Sequence, residues 1–390
     1  MSTDQTFDVA VIGAGTFGAW TAYQLRLAGA KVLLVDGYGA ANSRASSGGE
    51  SRIIRLGYGP DAIYTRMAQR SFTRWQELFA RLNQPQLFQP TGVLWLAKAN
   101  DAYCDATIKT FAQCEVNFEK LDRAELDRRY PQLELGTISW GILEPDSGIL
   151  MALQAVQALV KEAQNAGVTY FEAAIQPPKE SNSRQGNSRL EAVAATSGQK
   201  FVANKFIFAC GPWLPKLFPE LGDLIYVTRQ EVLFLGVPPG DDRFSPSHMP
   251  TWMDINELTY CLPALENRGV KIAIDDHGPQ FDPDAGERVV SSESVNAVRA
   301  YLAKRVPLLA NAPVVESRVC QYENTSNGDF LIDRHPQFEN VWLVGGGSGH
   351  GFKHGPAVGE HVAALISGDA EVETRFALAT KEKVQQRKVF

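Results

Sequence analysis

The stretch FDVAVIGAGTFGAWTAYQLRLAGAKVLLVDGYG, residues 7–39, limits the possible fold more than any other part of the chain. A short apolar run at residues 9–12 predicts a buried parallel strand, and glycines follow it in G-x-G-x-x-G spacing. From Thr16 to Leu27 the apolar residues recur at helical spacing, and a second apolar run ends in Asp36. This stretch therefore predicts a strand–turn–helix–strand unit at the start of an α/β domain.

Each glycine of this turn has a separate physical task. Gly13 permits the tight turn, Gly15 lets the backbone approach a pyrophosphate, and Gly18 allows the helix to pack closely on the strand. The helix N-terminus offers unpaired N–H groups to phosphates, and Asp36, about 20 residues further on, can accept hydrogen bonds from ribose hydroxyls. The unit predicts dinucleotide binding, but by itself it does not distinguish NAD from FAD.

A second glycine-rich turn stands near the other end of the chain, in NVWLVGGGSGHGFKHGPAVGEHVAALISG, residues 340–368. Residues 341–344 predict another buried strand, and Pro356 marks the start of a helix. NAD-binding Rossmann domains end within one continuous segment. FAD enzymes of the glutathione-reductase-like class return at the end of the chain to place a helix N-terminus near the flavin. The two distant turns therefore favour FAD.

Length and composition restrict the remaining possibilities. A chain of 390 residues is too long for one ordinary core, so we expect two domains. The formal net charge of −6 does not favour nucleic-acid binding, and no apolar run is long enough to span a membrane. The first residues do not resemble a signal peptide, and the five cysteines match no disulfide or metal-site spacing. We expect a cytoplasmic protein that binds no metal, nucleic acid or membrane.

Three glycine-bearing stretches divide the chain, the third being CGPW at residues 210–213. They predict an α/β fold with a discontinuous, glutathione-reductase-like FAD domain and an α+β substrate domain with a mixed or antiparallel sheet. The expected FAD domain consists of residues 1–84, 145–224 and 329–390, and the substrate domain of residues 85–144 and 225–328. Residues 177–189 predict a polar loop, and residues 291–309 a helix capped by Ser291 or Ser292.

Six stretches, in order along nearly the whole chain, resemble the family that includes monomeric sarcosine oxidase and N-methyltryptophan oxidase and is related to pipecolate and fructosyl-amino-acid oxidases. They are VIGAGTFG, GGESRIIRLGYG, CGPW, YCLPALENRGVKIA, VCQYENTSNGDFLID and GSGHGFKHGPAVGE. The resemblance implies a monomeric, FAD-dependent oxidase of a secondary (N-alkyl) amino acid. Such an enzyme forms an imine that water hydrolyses to amine and aldehyde, while O2 is converted to hydrogen peroxide.

The resemblance also implies that the flavin is covalently bound. In the family FAD is attached through an 8α-S-cysteinyl bond, and the attachment cysteine stands two residues before a tyrosine. Cys320 and Tyr322 match that pattern. A thiolate is the reactive species, so positive charge near Cys320 is expected to assist attachment.

Other positions are assigned from the family motifs one at a time. Arg52 is expected beside the flavin, Arg55 and Lys353 on the substrate carboxylate, and Lys271 where it supports the reaction with oxygen. The predicted catalytic residues are Lys271, Arg52, Tyr260 and Tyr322, and the predicted substrate-binding residues are Arg55, Lys353, Tyr260 and Tyr322. The predicted FAD contacts are Gly13, Ala14, Gly15, Thr16, Phe17, Gly18, Asp36, Gly37, Ser46, Ser47, Arg52, Ile53, Gly211, Trp213, Cys320, Gly349, His350, Gly351, Phe352 and Lys353.

The sequence departs from the sarcosine oxidase pattern at several positions. Ser47 and Gly48 stand where that family has two histidines, and Asp275 replaces a histidine four residues after the oxygen-activating lysine. These changes favour a larger or cationic amine substituent over sarcosine. Three alternatives remain open: a dehydrogenase that uses a non-oxygen acceptor, a primary-amine or D-amino-acid oxidase, and a flavin-binding subunit without its own activity.

Overall fold

The computed structural model describes residues 6–179 and 188–386, so most of the polar loop predicted at residues 177–189 lies outside the described residues. Both glycine-rich turns follow strands of one seven-stranded sheet. Its strands lie in the order Leu331–Arg334, Val341–Gly345, Lys200–Phe208, Thr6–Ile12, Val32–Asp36 and Thr169–Glu172, with Ala192–Ala194 paired to Lys200–Phe208. The pairs that involve Leu331–Arg334 and Ala192–Ala194 are antiparallel, and the other pairs are parallel.

Helices cover this sheet, which explains why its central strands are continuous apolar runs rather than alternating ones. Helix Thr16–Leu27 packs against Gly355–Ser367 and Ala152–Asn165, and helix Ala62–Arg81 packs against Gly355–Ser367 from another side. The indole rings of Trp20 and Trp75 meet edge to face with their centroids 5.0 Å apart. The two glycine turns are therefore attached to one apolar core.

A second sheet has eight strands. They lie in the order Val314–Thr325, Ile225–Leu235, Val270–Ile274, Thr259–Leu262, Thr251–Asp254, Val93–Ala97, Trp140–Glu144 and Glu119–Asp122. All neighbouring pairs are antiparallel except Thr251–Asp254 with Val93–Ala97, so the sheet is mixed, as predicted. Helix Ser292–Arg305 packs on it, and the Ser291 hydroxyl accepts from the backbone N–H of Ser294 at 3.2 Å, which confirms the predicted cap.

A small third sheet, which we did not predict, consists of Arg52–Ile54, Gly148–Leu150 and Phe88–Gln89. Its strands are too short to leave a clear pattern in the sequence. The remaining α-helices are Ala102–Cys114, Arg123–Arg129 and Leu214–Leu217. Single turns of 3-10 helix lie at Pro85–Leu87, Gly211–Trp213, Pro219–Leu221, Asp242–Phe244, Ile255–Glu257, Pro307–Leu309, Phe352–His354, Thr374–Phe376 and Leu378–Thr380.

The long strand Val314–Thr325 connects the second sheet to the glycine turns. It pairs along its length with Ile225–Leu235. The Ser46 hydroxyl donates to the carbonyl of Gln321 at 2.8 Å, and the N–H of Thr325 donates to the Ser348 hydroxyl at 3.2 Å. This edge strand of the second sheet therefore contacts both the Ser46 segment and the second glycine turn.

Within residues 6–179 and 188–386, no helix has both the length and the apolar character that a membrane span requires. Over the same residues, no three His, Cys, Asp or Glu side chains converge in a way that could hold a metal ion.

Candidate active site

A cavity of about 390 Å³ opens at the carboxyl ends of the parallel strands, where the chain leaves Thr6–Ile12 between its neighbours Val32–Asp36 and Lys200–Phe208. This is the position at which open α/β sheets bind ligands. The predicted FAD contacts that line it are Gly13, Gly15, Thr16, Phe17, Asp36, Gly37, Ser46, Ser47, Arg52, Gly211, Trp213, Gly349, Gly351 and Phe352.

The glycines of the first turn fall into two groups. Gly13 has φ +106°, and a Cβ there would lie 2.2 Å from the carbonyl oxygen of Ala209. A Cβ on Gly18 would lie 1.8 Å from the carbonyl oxygen of Gly13. A Cβ on Gly15 would approach only the Ser47 hydroxyl, at 3.1 Å. Gly13 and Gly18 are therefore required by the fold, whereas Gly15 leaves room in the cavity.

Asp36 ends the second strand of the motif and faces the cavity. Its Oδ2 accepts from the N–H of Ala14 at 2.7 Å, and its Oδ1 accepts from the N–H of Tyr38 at 2.9 Å. Burial raises the pKa of Asp36, while the hydrogen bond from Ala14 opposes that shift. Ala14 and Gly18, both predicted FAD contacts, do not line the cavity; Ala14 instead orients the aspartate.

A smaller cavity of about 80 Å³ adjoins the first and shares Arg52, Tyr322, Gly349 and Phe352 with it. The remaining predicted residues that line it are Ile53, Arg55, Tyr260, Lys271, Cys320, His350 and Lys353. Segments from the eight-stranded sheet, the small third sheet and the second glycine turn thus bring the predicted catalytic and substrate-binding side chains to one place.

Cys320 and Arg52 meet where the two cavities join. Arg52 donates from Nη2 to the carbonyl of Ser46 at 2.7 Å and from Nη1 to the carbonyl of Ser51 at 2.8 Å. The same Nη2 lies 3.5 Å from Sγ of Cys320. The thiol is buried and faces a guanidinium that is held by two backbone carbonyls.

Lys271 is also fixed by the Ser51 segment. Its Nζ donates to the Ser51 carbonyl at 2.7 Å and lies 3.2 Å from the Ser51 hydroxyl. Burial, followed by the positive charge of Arg52, lowers the pKa of Lys271 to about 7. The amino group of Lys271 therefore changes between its neutral and its protonated form near neutral pH.

Arg55 and Lys353 approach the ring of Tyr58 from different chain segments. Arg55 Cζ lies 4.4 Å from the ring centroid, and Lys353 Nζ donates to the Tyr58 hydroxyl at 2.8 Å and to the carbonyl of His350 at 2.9 Å. Burial, followed by the charge of Arg55, lowers the pKa of Lys353 well below its ordinary value. An anion bound between the two side chains would favour the charged form of this lysine.

Glu144 supports this cationic end of the cavity, and sequence reasoning missed it. The carboxylate is buried and accepts from the N–H of Leu56 at 2.7 Å, from the N–H of Gly57 at 3.0 Å and from Trp95 Nε1 at 2.7 Å. The Gly57 carbonyl in turn accepts from Arg55. The one available signal was an acidic residue at the end of the apolar run WGILE.

Two tyrosines and an aspartate also line the smaller cavity. The Tyr322 hydroxyl donates to Oδ1 of Asp275 at 2.8 Å, and the Tyr260 side chain is hydrogen-bonded to Tyr322. Burial raises the pKa of both tyrosines, and for Tyr322 the charge of Asp275 adds to this effect. Both hydroxyls therefore stay neutral at physiological pH.

The sequence analysis assigns no role to His354. In the structure its Nε2 lies 2.7 Å from the hydroxyl of Tyr58.

Comparisons with known proteins show which family the chain resembles. A family model described as FAD dependent oxidoreductase (DAO) matches residues 8–365. Monomeric sarcosine oxidase from Bacillus sp. (strain NS-129) is 31% identical over 369 residues, which cover 93% of this chain and 93% of that protein. N-methyl-L-tryptophan oxidase from Salmonella heidelberg (strain SL476) is 28% identical over 366 residues, covering 93% of this chain and 95% of the relative.

Solved structures show the same fold. The open form of NikD, described as an unusual amino acid oxidase, matches with a TM-score of 0.78 and 22% sequence identity. The match covers 96% of this chain and 97% of that chain.

Proposed function

The chain belongs to the DAO family of FAD-dependent oxidoreductases, and on that premise we propose that it oxidises a secondary, N-alkyl amino acid with O2 as the electron acceptor. The observation that carries this proposal is the pair of buried basic side chains, Arg55 and Lys353, in a small cavity adjoining the one that both glycine turns line. The names of the relatives, sarcosine oxidase and N-methyl-L-tryptophan oxidase, support the class of substrate.

The residues around the large cavity fit FAD. The space over Gly15 admits a pyrophosphate, and Asp36 stands at the end of the second strand, where a ribose would bind. The turn from Gly349 to Phe352 and the guanidinium of Arg52 would border the flavin ring, because they line both cavities. When bound, FAD supplies the two-electron acceptor for the amine oxidation, which O2 regenerates.

Cys320 is the residue we propose for covalent attachment of the flavin. Its sulfur lines the smaller cavity and lies against the Arg52 guanidinium, and it precedes Tyr322 as the family pattern requires. The opposite charge of Arg52 would stabilise the thiolate that attachment needs.

Arg55 and Lys353 would bind the substrate carboxylate and thereby fix the position of the amine. An arginine offers two parallel N–H donors, and a lysine adds a compact charge. The clamp aligns the Cα–N bond with the flavin, an orientation that contributes much of the rate when two reactants must meet. The neutral hydroxyls of Tyr260 and Tyr322 would line the space for the amine substituent.

The proposed reaction balances with one molecule of each reactant. The secondary amine loses two electrons and two protons to become an imine, and water hydrolyses the imine to a primary amine and a carbonyl compound. The electrons and protons convert O2 to hydrogen peroxide. Protonated Lys271 would stabilise the negative charge that develops on oxygen.

We also propose the finer architecture implied by the sequence. The seven-stranded sheet would form a glutathione-reductase-like FAD domain, since all its strands come from residues 1–84, 145–224 and 329–390. The eight-stranded sheet, with strands from residues 85–144 and 225–328, would form the substrate domain. The name of one relative, monomeric sarcosine oxidase, supports the proposal that this enzyme is a monomer.

Anaerobic reduction of the purified holoenzyme tests the proposal. Flavin absorbance is followed during titration with sarcosine, N-methyl-L-alanine and N-methyl-L-tryptophan, each matched by its primary amine. We expect at least one N-methyl compound to bleach the flavin and its primary amine to do so far more slowly. Preferential bleaching by primary amines would identify a primary-amine oxidase instead, and no bleaching by any amine would contradict the proposal.

A further inference from the structure

Glu323 is a buried acid that lines the large cavity at the carboxyl ends of the parallel strands. Its backbone carbonyl accepts from the N–H of Ser348 at 2.9 Å, and its carboxyl group accepts from the N–H groups of Gly346 and Gly347. A Cβ on Gly345 would lie 2.4 Å from Oε1 of Glu323, so this side chain occupies the space that the glycine leaves open. The second glycine turn therefore holds the acid in one place on the cavity wall.

The surroundings of Glu323 do not stabilise a negative charge. Its partner on the neighbouring strand is the apolar Val227, and no ion pair among the described residues includes its carboxyl group. Within residues 6–179 and 188–386, Oε1 is buried without a hydrogen-bond partner. Burial raises the pKa of Glu323 to about 8, and the hydrogen bonds from the glycine turn oppose that shift. The group is therefore a neutral acid at pH 7, with an O–H that can donate.

The other titratable groups near Glu323 do not share this range. Burial, followed by the charges of Asp36 and Glu323, raises the pKa of Cys210 well above its ordinary value. The pKa of the adjacent Tyr322 is also raised well above its ordinary value. The charged side chains on the wall of the same cavity are Asp36, Arg52, Lys216 and Asp284. Among the described residues that line this cavity, Glu323 is the group with a pKa near 8.

FAD in this cavity would bring acceptor oxygens and negative charge to the wall that carries Glu323. Its pyrophosphate is anionic, and its ribityl chain carries hydroxyl oxygens. An ionised carboxylate would repel the phosphates, whereas a neutral carboxyl group can donate to any of these oxygens. A donated bond would also satisfy a buried polar group that otherwise has an oxygen without a partner.

We propose that Glu323 is a further FAD-binding residue, which stays protonated and donates a hydrogen bond to a phosphate or ribityl oxygen of the cofactor. The inference rests on the FAD binding that the proposed function requires, and it does not depend on which amine is oxidised.

The test measures FAD affinity rather than activity. FAD is titrated into the apoprotein of Cys320→Ala and of the same variant carrying Glu323→Gln or Glu323→Ala, and flavin fluorescence gives Kd at pH 7 and pH 9. The neutral acid predominates below its pKa and is lost above it, so Kd of the Cys320→Ala protein should rise about tenfold between these pH values.

Glu323→Gln keeps an acceptor for the glycine turn and a donor for FAD, but it carries no charge. Its Kd should match that of the Cys320→Ala protein at pH 7 and should not show the tenfold rise. Lys271 also titrates in this range, but it is present in both proteins, so their difference isolates Glu323. Glu323→Ala should weaken binding about tenfold at pH 7. Glu191→Gln, at an exposed position, is the control and should keep the rise.

The outcomes separate this inference from the proposed function. If Glu323→Gln shows the same rise in Kd as the Cys320→Ala protein, the charge of Glu323 does not act on the cofactor and the inference is wrong. If Glu323→Ala binds FAD as tightly as Glu323→Gln at pH 7, the acid only supports the glycine turn and the inference is again wrong. Neither result affects the proposed amine oxidation. If the Cys320→Ala apoprotein binds no FAD, both proposals fail.

Discussion

The sulfur of Cys320 lies 3.5 Å from Nη2 of Arg52, although the two residues belong to different sheets. The guanidinium cannot turn away easily, because the carbonyls of Ser46 and Ser51 accept from it. A cation is therefore fixed beside a buried thiol at the junction of the two cavities. This arrangement suits a cysteine that must react as a thiolate.

Replacement of Cys320 should release the flavin. After acid precipitation of wild-type protein, we expect the yellow colour to stay in the pellet; in Cys320→Ala it should move to the supernatant. Cys104→Ala is a matched control, because Cys104 is also buried but lies in the helix Ala102–Cys114, away from both cavities. Absorbance spectra of both fractions measure the distribution. Free flavin from the wild-type protein would rule out the tether.

Lys271→Met should slow the reaction of the reduced enzyme with oxygen by about a hundredfold, since a preorganised cation near the developing charge is lost. The pKa of Lys271 is lowered to about 7, so the ammonium form predominates below that pH and is lost above it. The wild-type rate constant for reoxidation should therefore fall as pH rises through about 7, and the variant should show no such step.

Stopped-flow mixing of substrate-reduced enzyme with oxygenated buffer measures these rate constants. The exposed Lys109→Met is the control and should behave like the wild type. A reoxidation rate that Lys271→Met leaves unchanged would remove Lys271 from the oxygen reaction.

Arg55→Lys tests the carboxylate clamp. The substitution keeps the charge but removes the paired N–H donors and the contact with the Tyr58 ring. We expect kcat/KM to fall by about thirtyfold, equivalent to about 2 kcal/mol, chiefly through a higher KM. Arg66→Lys, on an exposed face of the helix Ala62–Arg81, should have no effect. A loss confined to kcat would indicate that Arg55 does not bind the substrate in the ground state.

Two glycines of the first turn should respond differently to alanine. Gly18→Ala forces a Cβ against the Gly13 carbonyl and should lower the free energy of unfolding by about 3 kcal/mol. Gly15→Ala meets only the Ser47 hydroxyl and should leave the apoprotein nearly as stable as before, while weakening FAD binding at least about tenfold.

Both variants are best made in a Cys320→Ala background, so that FAD can be titrated reversibly. Denaturant unfolding and flavin fluorescence give the two quantities. Equal losses of stability in the two variants would contradict the assignment of Gly15 to the ligand.

The parts of the fold that depend on nearby residues could be predicted from the sequence. Gly18 lies against Gly13, and Asp36 accepts from Ala14 and Tyr38, so their spacing within one short segment indicates these contacts. The approach of Gly13 to Ala209 has no such local signal. The predicted family and its FAD dependence are confirmed by the match over residues 8–365. The roles of Cys320 and Lys271 stay predictions until the variants are measured.

The support of the substrate site could not be predicted in this way. Glu144 bonds the backbone of Leu56, 88 residues away in sequence, and Tyr58 meets His354 across 296 residues. Such partners are selected by the packing of separate sheets, and no local pattern encodes them. The pairing of Asp275 with Tyr322 arises in the same way, because the strands Val270–Ile274 and Val314–Thr325 are consecutive in the chain but are separated in the sheet by Ile225–Leu235.

The fate of oxygen tests the central claim most directly. Holoenzyme and an N-methyl-L-amino acid are mixed in air-saturated buffer, and oxygen uptake, hydrogen peroxide and the primary amine are measured together. The account predicts one O2 consumed and one hydrogen peroxide formed for each amino acid dealkylated. If the substrate bleaches the flavin but oxygen is consumed only slowly and turnover requires an artificial electron acceptor, the protein is a dehydrogenase and the central claim is wrong.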